Sequence, residues 1–184
     1  MSKKMLVLAV VLCLTGLAPR ANAQNDAYTA IAQTAQTNGS QQVQFNFTIT
    51  KWSTQDDIKQ LGAILKEKGQ DALLEELQKL DAGRINKMGD TGNQIAVAEK
   101  WQDGDKTVIT MISARRMSLF ETNSRPVSKK YPLAFLQVTL NGDGEGAGKL
   151  VSQASVKYDK KADSFRLEPY GQGATPVSSV KPLK

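Results

Sequence analysis

The strongest constraint on the fold is a two-residue period of apolar side chains that recurs along the chain. In V-Q-F-N-F-T-I-T (43–50) every second residue is apolar, which is the pattern of a strand with one buried face. After Gly83 the same period returns in short segments separated by turn residues, such as those at 103–105. In one of these segments, Ile95, Val97 and Trp101 are expected to share a face. Strands joined by such short turns pair antiparallel.

A different period occupies residues 54–83. Leucine and isoleucine recur every three or four residues in two stretches that end at Gly69 and Gly83, as in short amphipathic helices. A capping box begins with a hydroxyl residue that is followed three residues later by an acid. Thr54 with Asp57, or Ser53 with Asp56, fits this pattern at the start of the first helix. We therefore predict an α+β fold, in which an antiparallel sheet of about five to seven strands carries an N-terminal two-helix hairpin on one face.

The first 23 residues have the pattern of a secretory signal peptide. Two lysines precede an apolar run, and the small residues Ala21 and Ala23 stand just before Gln24, as a signal peptidase requires. The alternative is a membrane anchor, but the run is shorter than a spanning helix needs. We expect cleavage before Gln24, export to the periplasm or the extracellular space, and no transmembrane span after signal cleavage.

The rest of the chain is expected to form one domain. Residues 24–41 are small and polar and are interpreted as a flexible leader. Residues 42–180 are interpreted as a single α+β domain, and 181–184 as a short tail. Cleavage removes three cations and no acids, so the formal net charge falls from +6 to +3. This mild charge does not favour nucleic-acid binding, and it leaves a protein, a glycan or a small ligand as the partner.

Two residue types that carry much of enzyme chemistry are missing. The chain has no histidine, and its one cysteine, Cys13, lies in the signal segment. This excludes histidine-based triads, histidine or thiolate metal sites in the mature chain, and disulfides within it. Carboxylate and lysine chemistry remain open.

The most motif-like stretch is N-G-D-G-E-G-A-G-K-L (141–150). It fails the phosphate-loop patterns because an alternating strand follows it, whereas those loops open a helix. Asn141, Asp143 and Glu145 match oxygen-ligand positions of a calcium loop, but Ser152 stands where the bidentate glutamate is needed. We interpret the stretch as a hairpin turn. A weak calcium site at these three residues is the alternative, and apart from it we expect no cofactor.

A second stretch combines cations with an aromatic residue. Five basic residues precede Tyr131 in the chain, namely Arg115, Arg116, Arg125, Lys129 and Lys130. Arginine forks beside an aromatic ring could bind a phosphate, a sulfated sugar or an acidic partner. The alternative is a solvated loop whose charges protect a strand end from pairing.

These patterns favour a non-enzymatic exported module that acts in binding or in association with the cell envelope. One alternative is a carrier that holds an apolar ligand beside Phe45, Phe47 and Trp101. Another is a hydrolase or isomerase that uses carboxylates or a buried lysine such as Lys100. The two tryptophans, Trp52 and Trp101, could line a sugar-binding face, or cover the core and a strand end.

Overall fold

The computed structural model describes residues 26–36, 39–87, 89–117, 129–161, 164–171 and 173–183. Within these ranges the chain forms ten strands and two helices. The strands are β1 (Asp26–Gln36), β2 (Gly39–Ile49), β3 (Gly83–Lys87), β4 (Asn93–Ile95), β5 (Val97–Asp103), β6 (Lys106–Ser113), β7 (Leu133–Leu140), β8 (Gly146–Asp159), β9 (Ser164–Pro169) and β10 (Thr175–Pro182). The helices are α1 (Gln55–Lys68) and α2 (Gln70–Leu77).

The strands form one antiparallel sheet whose two edges meet. Its order is β4-β3-β2-β1-β10-β8-β7-β6-β5, and β9 pairs with β8 outside this path. The edge strands β4 and β5 are separated in the chain by Ala96 alone. The carbonyl of Ile95 accepts from the N–H of Ala82, next to β3, at 2.7 Å, while the N–H of Ala96 donates to the carbonyl of Ile112 in β6 at 2.8 Å. One continuous segment therefore bonds to both sides, and the sheet is a nearly closed barrel.

Side chains fill the interior of this barrel. Phe45 and Phe47 of β2 are fully buried, and Tyr28 stacks on Phe47 with the ring centroids 4.9 Å apart. The inward positions of β1 next to them are Ala30 and Ala32, and Ala30 lies directly opposite Phe45 in the ladder. A small residue beside a large one keeps the interior at normal packing density.

The predicted α+β fold with a sheet of five to seven strands is wrong. The described residues instead form ten strands of a nearly closed barrel with only two short helices. The reason is that a two-residue period is the same in an open sheet and in a barrel, so the period alone carries no information about closure.

The chain ends also differ from the sequence interpretation. Residues 26–36 were placed in a flexible leader, but they form β1, which pairs with β2 and β10. Their alanines were too small to indicate a core, although a position facing phenylalanine requires a small side chain. At the other end β10 continues to Pro182, and the N–H of Leu183 donates to the carbonyl of Ala27. The signal segment, with Ala21, Ala23 and Gln24, lies outside the described residues.

The two helices lie where the leucine spacing placed them. Thr54 caps α1: its hydroxyl accepts from the N–H of Asp57 at 3.1 Å, and the Asp57 carboxylate accepts from the N–H of Thr54 at 2.8 Å. The helices cover part of the outer face of the barrel, where β5, β7 and β8 contribute apolar side chains. The buried residues of this second core are Leu65, Leu73, Leu77, Ala96, Val97, Leu133 and Val156.

The glycines of the motif-like stretch shape the sheet. Gly146 and Gly148 lie on β8 directly opposite Leu140 and Val138 of β7. A Cβ at Gly148 would overlap the carbonyl oxygen of Gln137, so the two backbones approach more closely than any other residue allows. Gly142, at the tip of the same hairpin, has nothing within 4 Å of a Cβ.

We expect Gly148→Ala to lower the free energy of unfolding by about 1–3 kcal/mol, because the added methyl forces β7 and β8 apart. The matched variant Gly142→Ala should change it by no more than about 0.5 kcal/mol, since its Cβ meets only solvent. Urea unfolding followed by circular dichroism measures both. Equal midpoints for the two variants would show that the close approach of β7 and β8 is not needed.

Candidate functional site

The β8–β9 hairpin extends beyond the part of β8 that pairs within the barrel. The first part of β8 lies between β7 and β10, whereas its last part, from Ala154 to Asp159, pairs with β9. Two side-chain contacts hold this extension against the helices. The amide oxygen of Gln70 accepts from the N–H of Val156 at 2.8 Å, and the ring of Phe165 packs so closely on Gly62 that a Cβ there would lie 3.1 Å from it.

Two shallow grooves flank this hairpin, each with a volume of about 280 Å³. They share Lys157, Tyr158 and Lys160. Five cations line them, and we refer to these five as the basic ridge: Lys66, Lys157, Lys160, Lys161 and Arg166. The carboxylates in the lining are Asp159 and Glu168. Positive charge therefore exceeds negative charge around both grooves.

Both carboxylates are already paired within the hairpin. Glu168 accepts from the ammonium group of Lys157 at 2.8 Å. That hydrogen bond, together with the positive charge of Lys157, lowers the pKa of Glu168, while partial burial opposes the shift. Asp159 lies 3.4 Å from the guanidinium of Arg166. Neither Lys160 nor Lys161 forms an ion pair with a described residue, and both side chains are exposed.

Lysine–tyrosine contacts extend the positive surface. The ammonium of Lys66 lies 4.8 Å from the ring centroid of Tyr158, and that of Lys130 lies 5.6 Å from the centroid of Tyr131, both within the range of cation–π attraction. The ring of Tyr131 in turn lies 5.0 Å from that of Tyr170. The positive charge of Lys130 also helps to lower the pKa of Glu168.

The predicted basic cluster is only partly brought together. Lys129 and Lys130 are exposed, and the carbonyl of Lys130 accepts from the Gln70 amide at 3.3 Å. Arg115 is exposed and Arg116 half-buried just after β6, with no contact to the basic ridge in the described residues. Arg125 lies outside the described residues. None of the five residues of the ridge was predicted from the sequence, although three of the five residues in K-Y-D-K-K (157–161) are cations.

The calcium candidates form a hairpin turn. Asn141, Asp143 and Glu145 are all exposed between β7 and β8. The Asp143 carboxylate accepts from the N–H of Glu145 at 3.0 Å, and the Glu145 carboxylate lies 3.1 Å from the ammonium of Lys181. No group of three acidic, histidine or cysteine side chains in the described ranges is placed to hold a metal ion. The weak calcium site stays a prediction.

The three residues proposed to line a carrier cavity do not face a common cavity. Phe45 and Phe47 are fully buried inside the barrel, whereas Trp101 lies on the outer face and is 37% exposed. The lysine proposed for catalysis is not buried either, since the Lys100 side chain is 42% exposed. Its ammonium lies 3.5 Å from Asp26 and 4.5 Å from the ring centroid of Trp52, a cluster that ties the start of β1 to β5.

The two carboxylates in the groove lining are also poorly placed for paired catalysis. Glu168 pairs with Ser155 in the ladder, and Asp159 lies four residues further along β8, or about 13 Å. Paired-carboxylate hydrolysis uses separations of about 5–10 Å. The two carboxylates are therefore not a catalytic pair, and each forms an ion pair with a cation of the hairpin instead.

Comparisons with known proteins give no match: no family model, curated protein or solved structure is significantly similar to this chain. Among the described residues, no helix is both long and apolar enough to cross a membrane.

We predict that Lys157→Gln raises the pKa of Glu168 toward the ordinary glutamate value of about 4.3, because the variant lacks the cation that favours the carboxylate. In the native protein the Lys157–Glu168 pair stabilises the folded state fully above a pH of about 4.3, the ordinary pKa of glutamate. This stabilisation is lost as the pH falls through the lowered pKa of Glu168 in the folded state. Carboxyl-carbon NMR titration measures the pKa directly. Lys149→Gln is the control on the same strand, and an unchanged pKa in Lys157→Gln would remove the assigned cause.

Proposed function

We propose that this protein is an exported, non-enzymatic binding module whose basic ridge takes an acidic, extended segment of a partner protein. The observation that carries the proposal is the collection of five cations around two adjoining grooves. Export is supported by the signal-peptide pattern of the first 23 residues.

Charge favours an acidic partner. The carboxylates of the hairpin are matched by Lys157 and Arg166, so Lys160 and Lys161 supply the outward positive potential. Such a potential attracts acidic ligands and speeds their encounter with the surface. It also disfavours basic partners, because like charges are brought together.

The shape and lining of the grooves favour a polypeptide segment. One groove runs between α1 and β8, and its lining includes Leu65, Val156 and the ring of Tyr158 beneath the lysines. Apolar side chains of a peptide can pack there while its carboxylates reach the surrounding ammonium groups. A groove this shallow encloses no small molecule, since small-ligand sites bury most of the ligand surface.

The proposal is tested with a short fluorescein-labelled peptide rich in Glu and Leu, and a matched peptide with Lys in place of each Glu. Fluorescence anisotropy should show binding of the acidic peptide only, and binding should weaken as salt is raised, because exposed charges are screened. The double variant Lys160→Glu with Lys161→Glu should weaken binding on the order of tenfold or more.

Lys106→Glu is the matched control, since Lys106 is also an exposed lysine and lies beside the β5–β6 turn. It changes the net charge without touching the basic ridge. The proposal fails if the native protein does not bind the acidic peptide at low salt, or if Lys106→Glu weakens binding as much as the double variant does.

A further inference from the structure

A second surface lies on the outer face of β5, β6 and β7, below the helices. Cross-strand pairing sets its side chains in two rows. The first row is Trp101, Val108, Thr139 and Ala147, and the second is Glu99, Thr110, Gln137 and Lys149. The next row up contains Val97, Ile112 and Phe135, which belong to the core under the helices. The apolar core under the helices therefore ends before the second row, and the two rows reach solvent at Trp101, Ala147 and Lys149.

Trp101 is the unusual member of this surface. It is one of three large apolar side chains in the described residues that are markedly exposed, at 37%. Its cross-strand partner Val108 is only 6% exposed, although it too lies on the outer face. We infer that the indole rests across Val108 and presents its other face to solvent as a flat platform.

Hydrogen-bonding groups without net charge surround this platform. The amide of Gln137 donates to the hydroxyl of Thr110 at 3.1 Å, which fixes its orientation, and Thr139 lies in the row of Trp101. Within the two rows the one acid, Glu99, is engaged by the amide of Gln55 at 2.7 Å, and the one base, Lys149, lies at the far end of its row. On the other side of Trp101, Asp103 and Lys106 face each other across the ladder and carry opposite charges. An uncharged ligand suits this surface, unlike the basic ridge.

We propose that this surface, the Trp101 shelf, binds a neutral, β-1,4-linked polysaccharide. The axial C–H bonds of a pyranose ring form an apolar face that stacks on indole, while the equatorial hydroxyls at its edge both donate and accept hydrogen bonds, as amides and threonine hydroxyls do. Thr139 lies two strands from Trp101, about 10 Å. The shelf is therefore longer than one sugar ring and suits a chain in which successive rings lie flat.

The test titrates the purified protein with cellohexaose and, separately, with chitohexaose, and follows intrinsic tryptophan fluorescence and calorimetric heat. Binding of either hexasaccharide supports the shelf, and the arm that responds identifies whether N-acetyl groups are accepted. Trp101→Ala should weaken binding on the order of tenfold or more and abolish the fluorescence change, because Trp52 remains but lies away from the shelf. Trp101→Tyr, which keeps a stacking ring, should retain most of the affinity.

Leu80→Ala is the matched control, since Leu80 has nearly the same exposure, 36%, but lies after α2. It should bind like the native protein. The shelf does not depend on the basic ridge, so Trp101→Ala should still bind the acidic peptide, which also shows that the variant is folded. The proposal is overturned if neither hexasaccharide binds at millimolar concentration, or if Trp101→Ala binds as the native protein does.

Discussion

The pairing of β10 with both β1 and β8 is the contact on which the rest of the barrel depends. Strands β1 to β4 form one half of the sheet and β5 to β8 the other. The chain joins the halves at Ala96, and on the opposite side β10 is the strand, among those described, that joins them by hydrogen bonds. Its partners are distant in sequence, as in the pair Tyr28–Pro182, so closure costs loop entropy before it gains contacts. Without β10, β1 and β8 would both expose pairing edges.

The filled interior determines where binding can occur. Phenylalanines of β2 occupy the space that the alanines of β1 leave open. Side chains therefore fill the interior of the barrel, as in other small barrels. The two surfaces that we propose for binding therefore lie on the outside of the barrel, and the helices separate them. They cover the apolar rows of β5 to β8. Above them β8 continues with β9 as a charged hairpin, and below them the Trp101 shelf remains exposed.

Local features were predictable from the sequence, whereas closure and register were not. The two periods located most strands and both helices, and the Thr54–Asp57 capping box was one of two expected. Ile95 and Val97 were expected on one face, but Ile95 lies inside the barrel and Val97 lies under the helices. The irregular residue between them, Ala96, reverses the faces, as a single extra residue does in any strand. Likewise the basic ridge could not be located, because its position depends on β8 continuing past its pairing with β10 and pairing with β9 from Ala154 onward.

Both proposed surfaces are built on strands, and this affects how strongly they can bind. The hairpin of the basic ridge is held by the Gln70–Val156 hydrogen bond and by Phe165 against Gly62, and the shelf is fixed by the ladders of β5, β6 and β7. Backbone that is already ordered loses little entropy when a ligand binds. For the ridge, the remaining cost is the ordering of flexible lysines, so its affinity should depend on charge and salt. For the shelf the indole has few rotatable bonds, so affinity should depend on ring stacking and respond little to salt.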